Sequence, residues 1–423
     1  MIKKLLKYYN NPLIKDNLIL FISNSITGFL VFLFHFYMGR VLGPASYGVI
    51  GVILSIVYIF NIPLTTIQTG ISKFTSDFKA KNKFNEISYL FKSSIKRLFI
   101  LGLITMILFL IISPFIASYL KIKVLPLIIL APFIIFIFLV PVNRGMLQGL
   151  QKFTGFGINL ISEGIVKFFV GILIVAIGFG VNGAVGAIVL SYIVAFVLGF
   201  YYLRKIIPKN IKKFNTKKIY KYSLPTLLML IGLTALYTID VLLVKHFFKD
   251  TEAGYYVAIS TLGKILFFGS YSITQVMFPK VSELYSKKKP YKHLLYKSLL
   301  MMLIILIPAI LFYFLFSEFI INIIYGKDYL NIAYLLGWFA VIMGLFSLIY
   351  TVAFYNLSIN RNKFLYILFL FNLLEIILIH IFHNNLTQVI TVLTILMFLL
   401  FIFMFSQVII SKDGKSIYNN TSA

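Results

Sequence analysis

Apolar stretches of about 20 residues recur along this chain, and each is long enough to carry an α-helix across the roughly 30 Å hydrocarbon core of a bilayer. They fall near residues 17–39, 46–70, 98–118, 125–147, 156–177, 183–203, 223–246, 253–278, 294–316, 330–355, 363–382 and 387–410. The pattern predicts an all-α polytopic membrane protein with about 12 transmembrane helices. Composition points the same way. Hydrophobic residues are 60% of the chain and charged residues 12%, against about 45–50% and about 25% in a soluble domain. The first stretch follows a basic start, is of spanning length and lacks a small-residue cleavage pattern, so it is expected to be retained.

Charge gives the orientation. Roughly thirty of the 39 Lys and Arg residues lie before the first span, in the even-numbered connections and in the tail, and about six lie in the odd ones. The run from Arg204 to Lys221 alone holds eight cations and no acid. The cation-rich side is expected to be cytoplasmic. Both termini are then expected on the cytoplasmic side of the cell (cytoplasmic) membrane, which requires an even number of spans. The same rule accounts for the net charge of +27 through contact with anionic lipid, so nucleic acid is not an expected partner and membrane lipids are. With no Cys in the chain, disulfides, thiol catalysis and Cys-ligated metals are excluded. The polar connections are too short to fold into a catalytic domain.

The halves repeat. Arg40-Val-Leu-Gly-Pro-Ala-Ser-Tyr47-Gly48, after the first span, parallels His246-Phe-Phe-Lys-Asp-Thr-Glu-Ala253-Gly254-Tyr255, after the seventh. Met146-Leu-Gln-Gly-Leu-Gln-Lys152-Phe153 parallels Leu357-Ser-Ile-Asn-Arg-Asn-Lys363-Phe364 at a similar offset. Six spans return the chain to the same side, so the repeat is parallel, about an axis along the membrane normal. The expected layout is an N-terminal six-helix lobe over 1–203, a cytoplasmic basic linker over 204–222, a C-terminal six-helix lobe over 223–410 and a cytoplasmic tail over 411–423. Two such lobes leave a central cavity, where repeat transporters hold substrate.

Five stretches carry a family likeness: Arg40 to Gly48; Arg144-Gly-Met-Leu-Gln-Gly-Leu-Gln-Lys-Phe153; Asp240 with Ala253-Gly254-Tyr255-Tyr256; Phe278-Pro279-Lys-Val-Ser-Glu-Leu284; and Ile323-Ile-Tyr-Gly326-Lys-Asp-Tyr329. Through them the chain resembles the multidrug/oligosaccharidyl-lipid/polysaccharide exporter superfamily, in its polysaccharide-transporter branch of lipid-linked oligosaccharide flippases. The resemblance spans nearly the whole chain. It implies alternating access by a V-shaped pair of six-helix lobes, with a polyprenyl-diphosphate-linked glycan as substrate and glycan-assembly proteins as further candidate partners.

Ionisable groups inside spans are costly, about 2.5–3.5 kcal/mol each on insertion scales, and mark cavities or partners. Lys264, in the eighth span, either pairs with an acid from another helix or meets the substrate diphosphate as a point charge. Glu163 and Lys167, four apart in the fifth span, share a helix face. They form either an internal ion pair or a cavity-facing lysine tuned by the acid. Arg40, before the Gly43-Pro44 turn, either binds loop carbonyls and lipid phosphate or contacts substrate. Asp240, Asn372 and Glu375, with Thr391 and Thr394, are candidate oxygen ligands for Na⁺ or H⁺ coupling. The alternative pairs Asp240 with Lys245 or a backbone cap, and Glu375 with Lys264. No cofactor beyond that cation, no metal site and no catalytic residue is expected. Gly178-Phe-Gly180-Val-Asn-Gly183 lacks the Lys-Ser/Thr of a phosphate loop and is read as a turn. Competing functions are a cation-coupled multidrug antiporter of the same superfamily and a membrane glycan polymerase, the latter wanting catalytic groups in large outer loops.

Overall fold

A computed structural model describes residues 12–204 and 224–410. The basic linker beyond Arg204 and the tail from 411 lie outside the described residues, so the cation-rich run that bridges the halves is not placed. All regular structure among the described residues is helical. Among the described residues, ten helices are long and apolar enough to cross a membrane.

Two of the ten are too long for one crossing. Helix α1 (Pro12–Ala80) has 69 residues, about 100 Å at 1.5 Å per residue. Its helical course breaks at Gly43, where φ is 73° and ψ 173°. A side chain strongly disfavours that backbone, and glycine admits it. The second long helical segment, Phe153–Arg204, comprises α4 (Phe153–Ile165), a π-helical turn (Val166–Val170), α5 (Gly171–Ile174), a second π turn (Val175–Phe179) and α6 (Gly180–Arg204). The chain turns where the glycine-rich stretch was read as a turn, with φ of 97° at Gly178 and 50° at Gly180. Each of these two helical segments counts as two spans, which brings the ten to the expected twelve.

The remaining helices are α2 (Phe84–Tyr119), α3 (Leu125–Gly149), α7 (Leu224–Ala235), α8 (Ile239–Phe247), α9 (Asp250–Ser286), α10 (Lys292–Leu315), α11 (Ser317–Ile324), α12 (Leu336–Ser358), α13 (Phe364–Ile381) and α14 (Leu386–Ile410), with a 3₁₀ segment Lys327–Leu335 leading into α12.

Two local expectations change. The second and eighth connections shrink, because α1 continues to Ala80, α2 starts at Phe84, α9 continues to Ser286 and α10 starts at Lys292. Lys73, Lys79, Lys92, Lys96, Arg97, Lys280, Lys292 and Lys297 therefore ride on helix ends rather than loops. A helix satisfies its own backbone at any depth, and long cationic side chains reach water from it. Lys79 Nζ also donates to Leu150 O at 3.0 Å and to Gln151 Oε1 at 2.8 Å, holding carbonyls at the end of α3 as a cation at a helix C-terminus does. The seventh span is also not continuous. It stops at Ala235, turns through residues 236–238 and restarts at Ile239 as α8. Thr238 Oγ1 donates to Thr234 O at 2.7 Å across the break.

By packing, the chain divides into two compact units. One holds Met1–Leu42 and Ile56–Leu224, and the other holds Gly43–Ser55 and Pro225–Ala423. Within the first, α3 is the centre and packs on both α2 and α6. The end of α1 lies against its glycines. A Cβ on Gly145 would stand 2.7 Å from Gln68 O, and one on Gly149 2.6 Å from Ser72 O. Small residues four apart allow that backbone approach. Within the second unit, α12 is central and packs on α9, α10 and α14. The hydroxyls of Thr274 and Thr351 join α9 to α12 at 2.6 Å, buried. In each unit the fourth span of the six forms the core.

Residues Gly43–Ser55 precede the linker in sequence yet pack in the second unit. Tyr47 OH donates to Thr261 Oγ1 at 3.3 Å and lies 3.2 Å from Tyr325 OH. Gly254 meets the Pro44 carbonyl so closely that a Cβ there would sit 1.8 Å from its oxygen. The two stretches whose likeness indicated the repeat, Arg40–Gly48 and His246–Tyr255, thus touch.

Candidate functional site

In the first unit the polar side chains collect on α3, α4 and α6. Arg144 pairs with Glu163 at 2.5 Å and donates through Nε to Asn159 Oδ1 at 2.8 Å. Asn159 Nδ2 in turn donates to Ala195 O at 2.5 Å. Both charged side chains are mostly covered, 13% and 16% exposed. Lys167 lies in the π turn after α4, with its ammonium 5.0 Å from the Phe34 ring centroid. The expected Glu163–Lys167 ion pair is therefore replaced. Glu163 bonds instead to Arg144, because the helix carrying Arg144 passes beside α4. Spacing along one helix carries no information about such a cross-helix partner. A π turn is also invisible in sequence, and such turns often sit at functional positions. Arg40 is exposed just before the Gly43 break, its guanidinium 5.9 Å from the Phe36 ring centroid.

In the second unit a buried cluster forms around the broken seventh span. Asp240, in the first turn of α8, is 3% exposed and accepts a bond from Tyr256 OH at 2.7 Å. Glu375 on α13 is fully buried, and Asn372 lies one turn before it. Asn372 Nδ2 donates to Leu368 O at 2.7 Å and to Gly232 O, at the end of α7, at 3.1 Å. Glu375 and Lys264 both lie within electrostatic reach of Asp240. Lys264 is 8% exposed, its ammonium 5.5 Å from the centroid of Tyr237 within the break. Tyr237 packs on Phe267 and Phe346, and Tyr350 closes the same aromatic group.

Lys245 bonds to Asp250 at 2.5 Å. Asp240 Oδ1, Asn372 Oδ1 and both Glu375 carboxylate oxygens are buried with no hydrogen-bond donor. Orphaned acceptors of this kind are rare in folded proteins. Four of them on three neighbouring residues form a set of hard oxygens, the chemistry that suits Na⁺ or a proton. The two threonines separate. Thr394 is half-buried, its hydroxyl donating to Ile390 O at 2.7 Å with a lone pair remaining. Thr391 is exposed and lines an open groove between α13 and α14. Sequence reasoning missed Tyr256 and Tyr237 as neighbours of the cluster, since neither differs by type from the chain's 27 tyrosines.

A family profile described as polysaccharide biosynthesis protein matches residues 37–334. No curated protein matches the chain. Among solved structures, the chain superposes on an inward-facing multidrug resistance MATE family transporter of the MOP superfamily with TM-score 0.76 at 14% identity, covering 94% of this chain and 96% of that one. It superposes on the lipid II flippase MurJ with TM-score 0.72 at 18% identity, covering 93% and 87%. A MOP superfamily transporter from Pyrococcus furiosus, reported to have a binding pocket of reversed polarity, matches with TM-score 0.63 at 16% identity, covering 94% and 95%. The fold is shared with all three, and the profile spans most of the sequence. The chain belongs to the polysaccharide biosynthesis protein family, and it has the fold of the MOP superfamily transporters on which it superposes.

Proposed function

We propose that this chain is a flippase that moves a polyprenyl-diphosphate-linked oligosaccharide from the inner to the outer leaflet of the cytoplasmic membrane by alternating access, coupled to Na⁺ or H⁺, and that it is a transporter rather than an enzyme. The observation carrying the coupled mechanism is the set of orphaned oxygens on Asp240, Asn372 and Glu375. Burying four acceptors without donors costs about 1–3 kcal/mol each, and a bound cation or proton removes that cost. Thr394, half-buried on α14, is assigned to the cation as a further hydroxyl, while Thr391 is assigned away from it. The substrate class rests on the family's role in polysaccharide biosynthesis and on the likeness to a lipid II flippase. Lys264 and Lys167 are two of the cations placed inside spans, and an ammonium is a competent phosphate ligand. Arg40, exposed beside the Gly43 break, is the third cation assigned to the diphosphate.

The test uses purified protein in liposomes, with a fluorescent polyprenyl-diphosphate disaccharide as substrate. Lys264→Ala should lower translocation at least about tenfold, the loss of one charge-assisted contact. Glu375→Gln should abolish the response to an imposed Na⁺ or pH gradient. Unchanged translocation by Lys264→Ala would remove that lysine from the mechanism, and gradient-independent translocation by the unsubstituted protein would end the coupling. A multidrug antiporter is the second reading, favoured by the buried acids Asp240 and Glu375 and by the match to a multidrug resistance transporter. Uptake of a cationic dye, with no translocation of the lipid-linked sugar, would select it.

A further inference from the structure

Two cations of the first unit carry more hydrogen-bond donors than the protein engages. A guanidinium has five N–H donors in a planar fork. Arg144 commits two of them, through Nε to Asn159 Oδ1 at 2.8 Å and through Nη2 to Glu163 Oε2 at 2.5 Å. Among the described residues nothing takes the other three, which are both of Nη1 and the second of Nη2. Lys167 commits none. Its ammonium lies 5.0 Å from the Phe34 ring centroid and bonds to no acceptor among the described residues. Both side chains keep access to a ligand, Arg144 at 13% exposure and Lys167 half-buried. The backbone turns the two cations toward each other. Helices α3 and α4 are joined by residues 150–152 alone, a connection short enough to make them antiparallel neighbours. Side chains on a helix lean toward its own N-terminus. Arg144 therefore leans away from the connection and Lys167 leans back toward it. Glu163 lies between them, bonded to Arg144 and one turn before Lys167, within electrostatic reach of its ammonium. The fork is also held in place, because Asn159 donates in turn to Ala195 O on α6. Two cations against one carboxylate leave an excess positive charge.

We infer that Arg144 and Lys167, with Glu163 as the carboxylate that positions them, form an anion site in the first unit, and that this site takes the diphosphate of the lipid-linked substrate as it leaves the inner leaflet. The selection follows from the donors. Phosphoryl oxygens only accept, and a guanidinium fork meets two of them in parallel. A sugar hydroxyl would call for acceptors as well as donors, and an organic cation would meet the excess positive charge. Depth agrees. On the charge-derived topology the Gly149 end of α3 is cytoplasmic, and Arg144 lies five residues from it, about 7–8 Å at 1.5 Å per residue. The inference rests on the flippase reading for its ligand and adds to that reading Arg144, a cation the substrate had not been assigned.

The probe is tritiated farnesyl diphosphate, bound at equilibrium to the full-length protein in phosphatidylcholine nanodiscs, with empty nanodiscs as the blank. R144Q/E163Q strands neither charge and should weaken binding at least about tenfold, the effect of losing charge-assisted hydrogen bonds. Lys167→Gln removes an ammonium that bonds to no described residue. It should fold as before and weaken binding about fivefold or more. Glu163→Gln keeps an acceptor for Nη2 and removes the competing negative charge, so it should bind at least as tightly as the unsubstituted protein; a carboxylate needed only for folding would not give that result. Inorganic pyrophosphate should displace the probe, whereas farnesol, or phosphatidylglycerol in place of part of the lipid, should not. Binding within twofold of the unsubstituted protein in Lys167→Gln, or in R144Q/E163Q with its helical circular dichroism intact, would overturn the site. Displacement by farnesol or phosphatidylglycerol would overturn it in favour of ordinary lipid contact. Absence of binding by the unsubstituted protein would overturn the substrate class along with the site, which separates failure of the flippase reading from failure of Arg144 and Lys167 alone.

Discussion

Removing Arg144 or Glu163 tests whether the first unit is held by a cross-helix ion pair. The pair is 2.5 Å long with both side chains mostly covered, and Arg144 also bonds to Asn159. Breaking a buried pair by deleting one partner costs about 3–5 kcal/mol, since the other charge is stranded in low dielectric. The residual exposure of 13% and 16% places each single loss near the lower end, about 3 kcal/mol. Deleting both strands neither charge, so R144A/E163A should lose no more than either single variant, about 3 kcal/mol or less rather than twice that. The coupling energy is then at least about 3 kcal/mol. The neighbouring i,i+4 pair Glu163–Lys167 should couple by no more than about 0.5 kcal/mol. Reversible unfolding in mixed micelles, followed by helical circular dichroism against the mole fraction of an anionic detergent, gives all the required differences. Additive losses for R144A and E163A, or a larger coupling of Glu163 to Lys167 than to Arg144, would refute the reasoning.

Three further outcomes follow from close contacts. Gly149→Leu should destabilise by about 1–3 kcal/mol, because its Cβ would lie 2.6 Å from Ser72 O and from Thr75 Cβ, whereas Gly186→Ala, with nothing within 4 Å, should be near neutral; thermal melting monitored by size-exclusion chromatography separates them. Tyr256→Phe should cost about 1–3 kcal/mol by that assay, because it deletes the hydroxyl that donates to Asp240 while Asp240 Oδ1 already has no donor. Gly254→Ala should raise hydrogen–deuterium exchange across Gly43–Ser55, since both surfaces that meet there are backbone and Pro44 O would lie 1.8 Å from the new Cβ; unchanged exchange would show that the segment is held by Tyr47 alone.

Most of the fold was legible because a bilayer allows few solutions. Length of apolar run located the spans, and the glycines at 43, 178 and 180 marked the breaks that separate merged helices. What escaped was anything decided by a second helix. The break at residues 236–238 has no Gly or Pro. It is accompanied by Thr238 bonding back to Thr234 and by Asp240 bonding to Tyr256, partners that the local pattern does not display. Hydropathy underestimates the lengths of α1, α2 and α9 for a related reason. Hydropathy reports where lipid ends, and a helix has no cause to stop there.

The candidate site divides along the same line. Asp240 and Glu375 were selected by scarcity, being among only 12 acids in 423 residues and lying within apolar runs, where a carboxylate is expensive. Asn372 was selected by helix spacing from Glu375, one turn away. Those criteria carry physical cost, and all three residues carry buried oxygens without donors. Thr391 was chosen by residue type and position alone. A threonine in a membrane helix can return its hydroxyl to the backbone four residues earlier, as Thr391 does to Thr387 at 2.9 Å, so its presence costs little and locates little. The same reasoning ranks the lysines. Lys264 is 8% exposed, beside an acid and an aromatic ring, and keeping a cation there is costly enough to require a use. Arg40 is exposed, where a cation needs no special reason. If one cation is decisive for an anionic substrate, the burden of burial assigns it to Lys264, and Lys264→Ala should impair translocation far more than Arg40→Ala in the same liposomes.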